Sequence, residues 1–598
     1  MIVSASVVPR NAGVIIVVVT VLLVVALNLR SSEFTYGYGL DSMSSNNHAK
    51  QHKPSRLHYL VPATAVKPPL CAVVASALAN RFPIPTILGW KGKGEFDAKA
   101  AHIAKLRSIR RYLYSEAGAN EDDLAIVVDG FDVLAQIPAA TVIERYFDFI
   151  GDADQNLADQ RGLTVEEVHE KGLKHTLVWG TDKGCFPGGR DDPRCWLVPF
   201  STLPRFKWGP RTDNGEMIYS ESRFLNSGTV IGHLGDLRTF IDASLRLINE
   251  TWDPEFKFKN SDQYYISTLY ARQEYHRAID LNGGVFPLEV QGRKVPELRR
   301  DENDQTEYHV LVDKEYALTQ TQCHNNKFMH KLQYGNFDLT TTITEDMLEE
   351  GETFHPYTIQ MPASLYQGLR RVWEGMLEEE RPLGSARQWI RSLELSTNIG
   401  TRNIYAFYHN TCSKGAFVGK YQDSWFFPII RPLLRASVRA INDQEYITTR
   451  PIDGRMWTVG PAFPDAPELQ DEFGGVWTDL DEEPFIPLQQ FCKEDIPAAI
   501  GKEELPPVVV STEDAPPVEN KEVKPPVDNG DVPAGEGSQD VSPPAGNQEL
   551  PPIVSTGDVP PVENEVQPPV SNEAPPVEGQ QEVPPVVSTE EVQVAEGK

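Results

Sequence analysis

The stretch Asp123-Leu-Ala-Ile-Val-Val-Asp129-Gly-Phe-Asp132-Val-Leu leaves this chain the fewest choices. Leu124 to Val128 is a short apolar, β-branched run, the pattern of a buried strand. It stops abruptly in two carboxylates, Asp129 and Asp132, separated by a glycine and an aromatic. Burying one acid at the end of a core strand is costly, and two repel each other, unless a cation sits between them. A divalent metal site at the carboxyl edge of a sheet, where open α/β folds bind ligands, meets both demands. Acids after a strand also serve simply as turn formers. The rest of the chain has to decide between these readings.

Only part of the 598 residues can form a globular core. Residues 501–598 hold 20 acidic residues, 4 lysines and no arginine, so their net charge of −16 is more than half of the chain's −29. Glu504–Asn520 (ELPPVVVSTEDAPPVEN) returns about 45 residues later as Glu549–Asn564 (ELPPIVSTGDVPPVEN). Frequent Pro-Pro, high acidity and no aromatics leave this segment unable to bury a core, and it reads as a disordered tail. The remainder is only mildly acidic. It carries no basic stripe and no nucleic-acid motif, so a nucleic-acid partner is not expected. Six cysteines are too few for a disulfide framework, and no C-x-x-C occurs to suggest structural zinc. Cys185 and Cys195 bracket a Gly/Pro/Asp-rich loop and read as a pair able to bridge in an oxidising compartment.

At the other end, Ala12 to Leu29 is apolar without one charge, flanked by Arg10 and Arg30. This length suits a short membrane-spanning helix and is long for a signal-peptide core. The reading is a cytoplasmic tail (1–11), an uncleaved signal anchor (12–29) and a polar stem (30–69). The protein would then be a single-pass type II protein of the ER or Golgi membrane with its bulk in the lumen; a cleaved signal is the alternative. The sequon Asn249-Glu-Thr251 agrees with a lumenal location. From Leu70 onward strands and helices alternate. Cys71–Leu78, Pro85–Trp90, Leu124–Val128, His175–Gly180 and Phe224–Gly232 read as strands. Asp97–Ser115, Pro138–Ile150, Asp236–Glu250 and Ser261–Glu274 read as helices. That alternation predicts an α/β domain over 70–337 with a largely parallel sheet. Residues 338–500 show no assignable pattern and read as a mixed C-terminal extension of unknown role, either packed on the first domain or forming a small second domain.

LAIVVDGFDVL, SRFLNSGTVIG, SDQYY and CHNNK, in that order and at these separations, resemble the glycosyltransferase domain of the collagen lysyl hydroxylases. More loosely they resemble the collagen galactosyltransferases. The similarity covers about Leu70 to Phe337. No His-x-Asp pattern occurs anywhere, so the dioxygenase part of the lysyl hydroxylases is not seen.

The resemblance implies a GT-A-like, Rossmann-type domain that uses a UDP-sugar and Mn²⁺. It assigns metal ligation to Asp129, Asp132 and His324, and a charge on the phosphates to Lys327. Trp90 and Lys105 fall near the nucleotide, although Trp90 reads equally well as a core residue. Asn226, in Asn-Ser-Gly, is matched to sugar hydroxyls; a β-bulge in the strand is its structural alternative. Asp262 stands where the family has the second acid of an Asp-Asp-Gln motif, with Ser261 as a good N-cap in place of the first. Asp182 and Phe186 fall in the acceptor cleft, for a protein or glycan acceptor. Another GT-A family with a different nucleotide sugar, or a catalytically silent binding protein with the same fold, are the competing expectations.

Overall fold

The computed structural model describes residues 53–501, apart from 94–100, 189–191, 202, 204–206, 210, 213, 284–304 and 345–355. The expected tail, anchor and first part of the stem lie outside the described residues, as does the Pro-rich segment from residue 502. Among the described residues no helix is long and apolar enough to cross a membrane.

The protein is α/β, built on a large, mostly parallel sheet. Its seven N-terminal strands are β1 (Lys53–Pro62), β2 (Thr86–Leu88), β3 (Leu124–Val128), β4 (Val133–Ala135), β5 (Leu177–Asp182), β6 (Phe224–His233) and β7 (Val310–Val312). All but β4 belong to the main sheet, in the order β2-β1-β3-β6-β5-β7. β1 lies parallel to β2 and β3, and β5 parallel to β7, whereas β6 runs antiparallel between β3 and β5. β3 is buried on both faces, as its unbroken apolar run requires. Leu124, Ile126 and Val128 enter one hydrophobic cluster, while Ala125 and Val127 enter the cluster on the opposite face.

Five helices matter for the site or its support: α1 (Pro68–Ala79), α2 (Ala101–Leu113), α3 (Ala139–Arg161), α4 (Leu234–Thr251) and α5 (Asp262–Leu281). Helices α2, α4 and α5 cover one face of the sheet, and α1 and α3 cover the other.

Three expectations need correction. Residues 53–62, expected in the stem, form the central strand β1. Its His58 is accommodated in the interior because Tyr112 Oη lies 2.8 Å from Nδ1 and Asp123 Oδ2 lies 3.4 Å from Nε2. Cys71–Leu78, expected as a strand, belongs to helix α1: Pro68 and Pro69 supply the favoured first-turn residues, and burial all round hides the helical period. Residues 338–500 contribute strands to the main sheet. The strand Arg455–Thr458 pairs with β1, Gly475–Thr478 pairs with β2, and Phe485–Pro487 extends the same sheet. Cys492 is bonded to Cys71 in α1. Cys185–Cys195 forms as read, and Cys323–Cys412 completes three disulfides, more than the cysteine count had suggested.

Away from the acidic pair, Asp236 in the first turn of α4 accepts from His309 at 3.0 Å. Burial would raise its pKa, yet the hydrogen bond and charge of His309 hold it at about 2. A depressed folded-state pKa gives stability that is present above the unfolded value and lost as pH falls through the folded one. Asp236→Asn is therefore expected to cost about 1 kcal/mol near neutrality. The difference from the parent should shrink between about pH 4 and pH 2, read from urea midpoints across that window.

Candidate metal centre

Asp129 ends β3, and the antiparallel β6 brings Asn226, Ser227 and Gly228 level with it. The Asp129 amide donates to the Gly228 carbonyl at 2.9 Å. The register between β5 and β6 shifts at Trp179/Gly180, after which Gly180 faces Asn226. The extra residues, Ser227 to Thr229, fall on β6, so the irregularity lies at the Asn-Ser-Gly segment, as the β-bulge alternative expected. Asp132 directly precedes β4, which pairs antiparallel with the strand Phe407–His409; that strand in turn lies parallel to β8 (Thr319–Thr321). His409 stands opposite Val133, and the Asn410 amide donates to the Asp132 carbonyl at 2.8 Å.

This small sheet brings a third candidate ligand to the acidic pair. One side-chain donor atom each from Asp129, Asp132 and His409 lie within 4.8 Å of one another. Among the described residues it is the one such group of three.

The identity of the histidine is a correction to the sequence expectation. His324 is exposed, in a left-handed backbone conformation, and does not join the group. Its neighbour Cys323 is instead bonded to Cys412, so the Cys-His-Asn-Asn-Lys loop braces the segment that carries His409. Gly228 makes room for the imidazole, since a Cβ there would lie 2.1 Å from His409 Cε1.

Two lysines balance the carboxylates. The ammonium of Lys105, on α2, sits 2.9 Å from Asp129 Oδ1 and 2.5 Å from Asp262 Oδ2, and donates to the Ser227 carbonyl at 3.2 Å. Burial would lower its pKa, but the two carboxylates outweigh burial and raise it. Lys414 Nζ lies 3.0 Å from Asp132 Oδ2 with its side chain mostly in solvent. Asp132 is almost fully buried, which alone would raise its pKa; His409 at 3.5 Å and Lys414 hold it at about 2. Burial would depress His409, yet hydrogen bonding to Asp132 and the charges of Asp132, Asp129 and Asp182 raise it.

The group opens on a cavity of about 560 Å³ whose wall includes Asp129, Phe131, Asp132, Lys105 and Lys414. Lys91, Lys93, His102 and Arg111 line it as well, so its wall is rich in cations. The size is that of a small-molecule site.

Comparison with protein-family models and with curated proteins gives no match for this chain.

The other expected residues divide between those the fold gathers and those it sends elsewhere. Asp262 opens α5, and Ser261 caps that helix by accepting from the Tyr264 amide at 3.3 Å. Asn226 donates to Asp182 Oδ2 at 2.8 Å and accepts from the Gly228 amide at 2.9 Å, so its amide is largely engaged within the protein. Asp182 is half-buried, and desolvation raises its pKa against the opposing hydrogen bond from Asn226. Phe186 is 66% exposed. Gln263 ties it to the site, donating to the Phe186 carbonyl at 2.8 Å and accepting from the Ser227 amide at 3.2 Å.

Of the nucleotide-side residues, neither Trp90 nor Lys327 lines the cavity. Trp90 is a core residue: its indole N–H donates to Glu483 at 2.8 Å, its ring packs on Phe491, and its neighbours rather than its own side chain line the cavity. Lys327 donates to Tyr219 Oη at 2.7 Å and is not part of the cavity wall. Lys414 supplies the lysine there. The sequence reading missed His409 and Lys414, and the pattern aromatic–aromatic–His–Asn before Cys412 is the only local signal that marks them.

Proposed function

We propose that this chain is a divalent-metal-dependent glycosyltransferase of GT-A-like build. It would move a hexose from a UDP-sugar to a hydroxyl of a protein or glycan acceptor in the secretory pathway, anchored by residues 12–29. One observation carries the reading: two carboxylates in the wall of a cavity rich in cations converge with a buried imidazole. The residues fit a metal, because His409 Nδ1 is buried with no hydrogen-bond partner among the described residues, and Asp132 Oδ1 is met only at 3.5 Å by His409 Nε2. Oxygen-plus-imidazole ligation suits Mn²⁺ better than Ca²⁺. A metal held by Asp129, Asp132 and His409 would supply positive charge to offset the diphosphate as UDP departs.

The protein's own groups do the rest. Lys105 locks Asp129 and Asp262 into one rigid unit, so the metal side and the sugar side keep a fixed spacing. Lys414, held at one end on Asp132 and otherwise in solvent, is a point charge able to turn onto a phosphate oxygen. Asn226 acts as a positioning residue, orienting Asp182 through its Nδ2. Asp262 is the buried carboxylate left to contact the transferred sugar or its acceptor.

The test is UDP release from a panel of UDP-sugars, with and without Mn²⁺, using the Asp129→Ala, Asp132→Ala double variant as control. Metal-dependent release that falls about 10³-fold or more in the double variant is expected. No release together with no UDP-dependent thermal shift would sink the reading. A second reading, nucleotide binding without transfer, is favoured by Ser261, which caps a helix where a second acid was expected. A UDP-dependent thermal shift with no release from any donor would select it.

A further inference from the structure

The two ammonium groups on the acidic pair are held in different ways. Lys105 has three partners, the Asp129 and Asp262 carboxylates and the Ser227 carbonyl, and its side chain is 11% exposed. It is a fixed part of the wall. Lys414 has one carboxylate partner among the described residues, Asp132 Oδ2 at 3.0 Å, and its side chain is 70% exposed. An ion pair with one member largely in water contributes little and exchanges readily.

The backbone beneath Lys414 is not free in the same way. Cys412 is bonded to Cys323, and the fully buried Asn410 donates from Nδ2 to the Ser413 carbonyl at 2.7 Å. The Ser413 amide donates to Gln322 Oε1 at 3.3 Å. The base is therefore anchored, and the mobile part is the side chain on its four-carbon stem. Lys414 and Asp132 belong to the wall of one cavity, so the swing of that stem sweeps space a ligand there would fill.

A divalent cation on Asp132 and the Lys414 ammonium call on the same buried carboxylate, and like charges at that range repel. The same ammonium is drawn to a diphosphate beside the acidic pair. We propose that Lys414 is an exchangeable counter-ion that couples metal and nucleotide binding. It opposes the metal alone and, displaced from Asp132, pairs with the diphosphate. By linkage, the doubly filled site is favoured over either half-filled one through this side chain. This rests on the metal-dependent transfer site proposed for Asp129, Asp132 and His409.

The experiment is calorimetric titration of the full chain with Mn²⁺ alone, then with UDP at saturating Mn²⁺. Lys414→Met is expected to move the two affinities in opposite directions. Mn²⁺ alone should bind about threefold tighter or more, because its competitor is gone. UDP should bind about tenfold weaker or more, because a charge on the diphosphate is lost. Lys414→Arg keeps the charge and should stay within about threefold of the parent on both counts. Any other pattern in Lys414→Met, whether a shared loss, a single shift or no change, overturns the proposal and leaves the metal centre standing. An arginine variant that behaves like the methionine one does the same. A parent chain that binds neither Mn²⁺ nor UDP overturns the metal centre itself, and this proposal with it.

Discussion

Replacing Gly228 with alanine is expected to cut divalent-metal affinity at least about 100-fold while costing only about 1–3 kcal/mol of stability. The added methyl would sit 2.1 Å from His409 Cε1, 2.7 Å from Nε2 and 2.8 Å from Nδ1, so one partner has to move. His409 is fixed by pairing with β4 on one side and β8 on the other. Gly228 is fixed by pairing of β6 with β3 and by its own hydrogen bond from Asp129. Rotation of the imidazole away from Asp132 is the softest response, and it takes a ligand from the group. Gly232→Ala is the matched control: its methyl would meet the Thr176 carbonyl at 2.4 Å, at a distance from the site along the same strand. It should destabilise without a selective effect on metal. Mn²⁺ titration beside thermal melting separates the two, and equal losses of metal affinity would refute the steric account.

The second large effect separates two histidines. His409→Ala is expected to lower Mn²⁺ affinity by about 100-fold or more, because it removes a ligand and leaves the buried Asp132 with Lys414 alone as partner. His324→Ala should leave affinity within about threefold, since its side chain is exposed and lies outside the group. The reverse ranking would restore the expectation drawn from the Cys-His-Asn-Asn-Lys motif and remove His409 from the centre.

These histidines also show what the sequence could and could not convey. Asp129 and Asp132 were legible because a buried strand that ends in two acids is a local contradiction, and such contradictions mark sites. Lys105 and Asp262 were placed by the resemblance, and the structure joins them to Asp129 through one ammonium. His409 was not legible, since its position depends on a three-residue strand finding β4 and β8, and short strands carry almost no periodic signal. The same holds for Arg455–Thr458 and Gly475–Thr478, whose partners β1 and β2 lie at the far end of the sequence. β1 escaped notice for a different reason. Its Lys, Pro, Arg and His make it look polar, and only the contacts of His58 with Tyr112 and Asp123 make that acceptable in an interior. Lys327 turns away from the cavity and Trp90 takes its core alternative, because motif position fixes the backbone neighbourhood and leaves side-chain direction free.

The bond between Cys71 and Cys492 joins residues 421 apart in sequence, and the strands next to it close over a similar span. During synthesis, β1 would emerge long before Arg455–Thr458 exists to cover its edge, and Asp132 long before His409. The N-terminal half therefore spends much of its time at the ribosome as an open sheet with an uncovered edge strand, a state prone to pairing with other chains. A shortened gene ending near residue 337 would fix that vulnerable intermediate as its final product. Expression trials should begin from a piece that retains the last cysteine.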